Sequence, residues 1–195
     1  MKFRTALLVC CLLGLSASAL TAQVEIDNQW VRVERVKLDR ESFVARGPSV
    51  VVYLRDADEH KAGEVSYVRP GSQRNLAGKP LEAVYIQLKQ EPVKSRSVAL
   101  DPVKLDPQHH IVLLENDRVR VIKTILEPHL KAPMHEHPHY VVVYLTELHT
   151  TMAMADGRNI DNVRRPGEIA WRDALKHATE NVADRTAMEI QVELK

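Results

Sequence analysis

The chain has 195 residues, of which 45% are hydrophobic and 27% charged, a balance that suits one or two compact domains and argues against disorder as the main state. Formal charge is +1, without the clustered basic surplus that a nucleic-acid binder carries. Both cysteines, Cys10 and Cys11, lie in the first segment discussed below, so a mature chain without it has no thiol for a disulfide, a thiolate ligand or a nucleophile.

In chain order the first predicted element is a secretory leader over Met1–Ala22. Lys2 and Arg4 give a basic start, "ALLVCCLLGL" an apolar run, and Ala17, Ala19 and Ala22 the small residues of a cleavage site. The run is too short to span a bilayer, which needs about 20 residues, so the mature protein is expected to be exported, periplasmic or extracellular, and free of the membrane. Losing Lys2 and Arg4 leaves a net charge of −1.

Beyond the leader, period-two alternation of β-branched residues dominates. It marks strands in "WVRVERVKL", "VVVYL", "VYIQLK", "VRVIKTIL", a second "VVVYL" and "MEIQVELK". The class is all-β, and Asp173–His177 is the one stretch read as a short helix.

These strands repeat. "NQWVRVERVKL" (Asn28–Leu38) matches "NDRVRVIKTIL" (Asn116–Leu126) 88 residues later, and "FVARGPSVVVYL" (Phe43–Leu54) matches "MHEHPHYVVVYL" (Met134–Leu145) at 91. "VRPG" at Val68 pairs with "RRPG" at Arg164, and "NLAGKPLEAVYIQLK" (Asn75–Lys89) with "NVADRTAMEIQVELK" (Asn181–Lys195) at 106. The growing shift implies insertions in a second copy. Two β units follow, 23–90 and 109–195, joined by a Pro-rich, charged connector over 91–108. Each is small for a domain with its own core, so they should pack on one another. Trp30 and Trp171, in apolar runs, suit a core or that packing.

"APMHEHPHYVVVYL" (Ala132–Leu145) carries the chemistry. On a strand, residues two apart share a face, so His135, His137 and His139 could point together. "GEIAWRDALKHATEN" then supplies His177 and Asn181. Of nine histidines only His60 lies in the first half, and Val44, Arg46 and Gly71 stand where the first copy would need His135, His137 and His177. His109, His110, His129 and His149 have no ligand spacing and read as loop or surface residues.

The sequence resembles the cupin superfamily, whose first motif is His-x-His with a Glu four or five residues on, and whose second is a Gly-bearing turn, a strand and His-x-x-x-Asn. His135 and His137 match the first; Pro166, Gly167, His177 and Asn181 match the second. Two departures stand out: Val141 or Val142 occupies the place of the Glu, and Arg172, Asp173 and Ala174 that of a Pro-x-Gly turn. The resemblance implies two small jelly-roll β-barrel units in tandem, the first a degenerate cupin unit without metal ligands, the second holding one divalent transition metal (Fe, Mn, Ni, Cu or Zn) on His135, His137 and His177. His139 is an alternative fourth ligand, although Pro138 interrupts the alternation that would aim it inward.

Three imidazoles without a carboxylate leave open coordination positions, as in catalytic rather than closed structural sites. Groups placed to orient them are Glu136, Tyr140, Tyr144 and Arg172, with Glu136 on the opposite face. No phosphate loop, nucleophile elbow or helical His-Glu-x-x-His is present. The functions left are an exported metal-dependent, dioxygenase-like oxidoreductase acting on a small molecule, a non-catalytic small-ligand-binding cupin, and a purely structural one. Cupins often pair as dimers; two units in one chain can meet that need internally, which leaves a homo-oligomer open.

Overall fold

The computed structural model describes residues 21–38, 42–57, 60–75, 81–89 and 98–195. All but the last two residues of the expected leader, and residues 91–97 of the connector, lie outside them. The first unit contains β1 (Thr21–Asp27), β2 (Val31–Leu38), β3 (Ser42–Val44), β4 (Ser49–Tyr53), β5 (Val65–Val68), β6 (Gln73–Asn75) and β7 (Leu81–Leu88). After a single helical turn, α1 (Pro102–Leu105), come β8 (His110–Glu115), β9 (Val119–Leu126), β10 (Lys131–His137), β11 (Tyr140–Tyr144) and β12 (Leu148–Met154). β13 (Asn159–Arg164), β14 (Ile169–Arg172), β15 (Leu175–Asn181) and β16 (Ala187–Leu194) complete the chain.

The architecture is all-β, as the alternation predicts, and jelly-roll, as the resemblance implies. The first unit has a five-stranded sheet, β1-β2-β7-β4-β5, and the pair β3-β6. The second has β8-β9-β16-β11-β14 facing a four-stranded sheet, β10-β15-β12-β13. Both five-stranded sheets run through their strands in the same chain order, and the β12-β13 hairpin accounts for the extra length of the second unit between β11 and β14. All the pairings are antiparallel.

The two large sheets pack face to face. One face of β2, β4 and β7 contributes Val31, Val33, Val50, Val52, Val84 and Ile86, and one face of β9, β11 and β16 contributes Val119, Val121, Val141, Val143, Ile190 and Val192. These residues form one cluster whose side chains are fully shielded from water. Trp30 and Trp171 lie at its margin, in the packing role their apolar runs suggest. The alternate residues of each strand face into their own unit, giving separate small clusters around Tyr53 and Tyr85 in the first and around Tyr140 and Tyr144 in the second. β1 lies against β14 and β5 against β8.

Two expectations need correction. Asp173–His177 is not helical: Leu175 opens β15, and the helix stands instead at Pro102, where Asp101 caps it by accepting from the Val103 N–H at 3.1 Å. The pairing of "VRPG" with "RRPG" also fails, because Gly71 follows β5 whereas Gly167 precedes β14. The counterpart of Gly167 is Gly63. Both adopt φ near +80°, a region open to glycine, and both donate their N–H to a tyrosine carbonyl, Gly63 to Tyr53 at 2.8 Å and Gly167 to Tyr144 at 2.7 Å. Among the described residues no helix is long and apolar enough to cross a membrane.

Because Ile190 is fully buried between the two sheets, Ile190→Ala is expected to lower unfolding stability by about 2–5 kcal/mol. Urea titration followed by tryptophan fluorescence measures this; a change below 1 kcal/mol (~one methylene's worth) would mean that the cluster does not carry the stability assigned to it.

Candidate metal centre

β10 does not alternate simply. Ala132 faces inward, and so do His135 and His137, an odd step that requires one extra residue between them. The ladder with β15 supplies it as a register shift between Ala132 and His135. Pro133 lies inside that shift; having no N–H it cannot serve the ladder, and a bulge is where such a residue is tolerated. From His135 onward β10 pairs normally, with His135 directly opposite His177.

The structure brings His135, His137 and His177 together, with one nitrogen from each lying within 4.8 Å of the others. Ring centroids are 4.9 Å apart for His135–His137, 4.5 Å for His135–His177 and 5.5 Å for His137–His177. All three are buried, at 2%, 2% and 5% exposure.

Each ring has its Nδ1 engaged. That of His135 donates to the Pro133 carbonyl at 2.7 Å, that of His137 to Glu193 Oε1 at 2.7 Å, and that of His177 lies 3.1 Å from Thr179 Oγ1. A carbonyl and a carboxylate only accept, so they hold the proton on Nδ1 and leave the Nε2 lone pair free. The Nε2 atoms of His137 and His177 are buried with no hydrogen-bond partner, a costly state for a polar atom. Burial, reinforced for His137 by the His135 and His110 imidazoles, pushes the pKa of His135 down and that of His137 far down. His177 falls to about 2, first by burial and then by the neighbouring imidazoles. Three neutral rings, each held on its far side, two of them with a buried and partnerless Nε2 and all with a nitrogen within 4.8 Å of the others, fit a divalent transition ion.

Sequence reasoning missed Glu193. Its second oxygen accepts from Arg120 Nε at 2.6 Å, and Arg120 Nη1 in turn binds both oxygens of Asp101, at 3.0 and 2.9 Å. The chain Asp101–Arg120–Glu193–His137, half-buried at its first two members and buried at its last two, thus ties the residue capping α1 to one member of the triad. The signal was present: alternation in "MEIQVELK" puts Glu189, Gln191 and Glu193 on the face opposite Ile190 and Val192. Ala83, Tyr85 and Gln87 occupy the matching positions in β7.

His110, read from sequence as a loop or surface residue, is neither. It opens β8, is 2% exposed, and its ring stands edge-on to His135 at 5.2 Å. Its lack of ligand spacing hid it, since a different sheet brings it to the site. His139 goes elsewhere: 31% exposed, it sits between Trp30 and Trp171 at the seam of the two units, its Nδ1 accepting from the Ala174 N–H at 3.2 Å. Glu136 faces outward as expected, toward the Ala99 N–H and Lys176. Tyr140 stacks obliquely on His137 at 4.8 Å, and Arg172 Nη2 donates to Tyr144 Oη and Asn162 Oδ1 at 3.3 and 3.2 Å. Asn181 is a structural clamp, donating to the carbonyls of Leu126, Glu127 and Arg185.

Beside the triad lies a small cavity of about 30 Å³. His135, His177, His110, Tyr140 and Arg172 all reach its wall.

No protein-family model and no curated protein matches the chain. Solved structures do. It is similar to AerE from Microcystis aeruginosa, at 9% identity and TM-score 0.59 over 90% of this chain and 98% of that one. It is similar to a cupin 2 conserved barrel domain protein from Leptotrichia buccalis, at 10% identity and TM-score 0.55 over 91% and 90%. It is also similar to an oxalate decarboxylase from Bacillus subtilis that has Mn(II) centres, at 12% identity and TM-score 0.54 over 85% and 69%. At these identities the likeness is one of fold: the chain has the jelly-roll fold of the cupins.

Glu193→Gln is expected to weaken metal affinity about 10- to 100-fold, read by competition with a chromophoric chelator; an unchanged affinity would show that Glu193 serves Arg120 alone. A second expectation concerns acid. Burial lowers His110 to about 4 and His177 to about 2 from an ordinary 6.5. The unfolded chain therefore takes up protons on these rings that the folded chain refuses, and the metal-free protein loses stability as pH falls from about 6.5 toward 4. Melting temperature across that range checks the sign, and a flat profile would contradict it.

Proposed function

We propose that the second unit is an exported metal-dependent cupin that holds one divalent transition ion on His135, His137 and His177 and presents it to a small molecule in the adjoining cavity. The chemistry we assign it is oxidative and dioxygenase-like. The observation that carries the metal reading is the pair of buried, partnerless Nε2 atoms on His137 and His177. Such an ion supplies Lewis acidity and, as iron, manganese or copper, one-electron chemistry at open coordination positions.

The chain's own residues do the rest. Pro133, Glu193 and Thr179 fix the three rings from behind. Burial pushes the Tyr140 phenol well above its usual pKa, so it stays protonated and available as a donor beside His137. Val142 and Leu148 add apolar surface to the cavity wall. We further infer that the first unit is a degenerate copy of the second and acts as scaffold. The matching strand order supports this, together with Val44 and Arg46 at the positions of His135 and His137 and with Gln73, not Gly71, opposite Val44 in the ladder where His177 stands opposite His135. The basic start, apolar run and alanines of Met1–Ala22 support export.

A second reading is a non-catalytic binder. The narrowness of the cavity favours it, since little room is left for two reactants beside an ion.

Elemental analysis of protein matured through export decides first: one ion per chain is expected, lost in the double variant His135→Ala with His137→Ala. Oxygen uptake with Fe(II) restored, across a panel of small organic compounds, decides next. Metal with turnover supports the enzyme, metal without turnover on any compound supports the binder, and absence of metal from the wild type overturns both metal-bearing readings.

A further inference from the structure

We propose that the molecule held in this cavity is a small organic anion whose carboxylate lies between the ion and the Arg172 guanidinium; this rests on the metal reading above. Four features point to it. Three neutral imidazoles leave the ion's charge uncompensated, since none of the three ligands is a carboxylate. Arg172 brings a further positive charge to the same wall, and its Nη2 contacts are the neutral oxygens of Tyr144 and Asn162.

The cavity's own carboxylate does not cancel this. Glu189 Oε1 accepts from Gln191 Nε2 at 2.7 Å, and burial disfavours its charged form. Even fully ionised, Glu189 leaves the ion and Arg172 together net positive, and an excess charge in a water-poor cavity demands a counter-charge. Glu193 is not on the cavity wall; its oxygens are engaged by His137 and Arg120.

Thr124 Oγ1 and Gln191 Oε1 also line the cavity, buried and without hydrogen-bond partners. They offer a donor and an acceptor to a polar occupant. The limited free space restricts that occupant to a few heavy atoms, so a short carboxylate carrying a hydroxyl or a second polar group meets all these demands.

The test uses the full mature chain loaded with Co(II), with visible absorption reporting on the metal and calorimetry on the ligand. Glycolate, malonate and acetate are compared with the neutral amide of glycolate. Glycolate is expected to bind at least about tenfold more tightly than its amide. Arg172→Gln should weaken glycolate by about 10- to 100-fold with cobalt affinity kept, and Arg172→Lys should recover part of the loss. Equal binding of acid and amide, no binding of any of the three anions, or indifference of glycolate to Arg172→Gln would each overturn the proposal while leaving the metal reading intact. A wild type that takes up no cobalt overturns the metal reading, and this proposal with it. Should Arg172→Gln fail to fold, the comparison of acid with amide on the wild type decides alone.

Discussion

A strand shows alternate residues to opposite faces, and the whole site depends on breaking that rule once. Ala132 and His135 both point inward, which a regular strand forbids. Without the irregularity at Pro133, His135 and His137 would turn toward the outside and Glu136 would enter the cavity. The same proline supplies the carbonyl that takes the His135 Nδ1 proton. One imino acid therefore sets both the direction and the protonation of a ring, and the buried nitrogens of the triad can then meet.

Burying four imidazoles is possible because other surfaces carry the stability. The valine and isoleucine faces of the two five-stranded sheets close on each other in one aliphatic cluster, and burying that apolar area is strongly favourable. The opposite faces of β9, β11 and β16 can then hold Thr124, Tyr140, Glu189, Gln191 and Glu193 inside the second unit. Each of the central strands is thus shared between a structural side and a chemical side, and the first unit contributes only to the structural one.

How much of this could be read from the residues varies with the range of the signal. Period-two alternation is local, so the strands, the fold class and the seam positions of Trp30 and Trp171 were legible. The triad was legible because His-x-His and the later His-x-x-x-Asn keep their spacing. Glu193 and His110 were not, because each reaches the site from another part of the fold: Glu193 by the inward face of β16, His110 by the edge strand β8. The turn glycines misled for the opposite reason. Pro-Gly is a common breaker, and its two occurrences lie at different ends of their strands; only the shared hydrogen bond to a tyrosine carbonyl identifies Gly63 with Gly167.

The seam also limits how the polypeptide can be shortened. If the second unit were expressed by itself, Val119, Val121, Val141, Val143, Ile190 and Val192 would form a bare aliphatic stripe across three adjacent strands. A contiguous greasy patch of that kind drives self-association. The first unit, whose own valine face covers that stripe, is therefore what shields the second from such association.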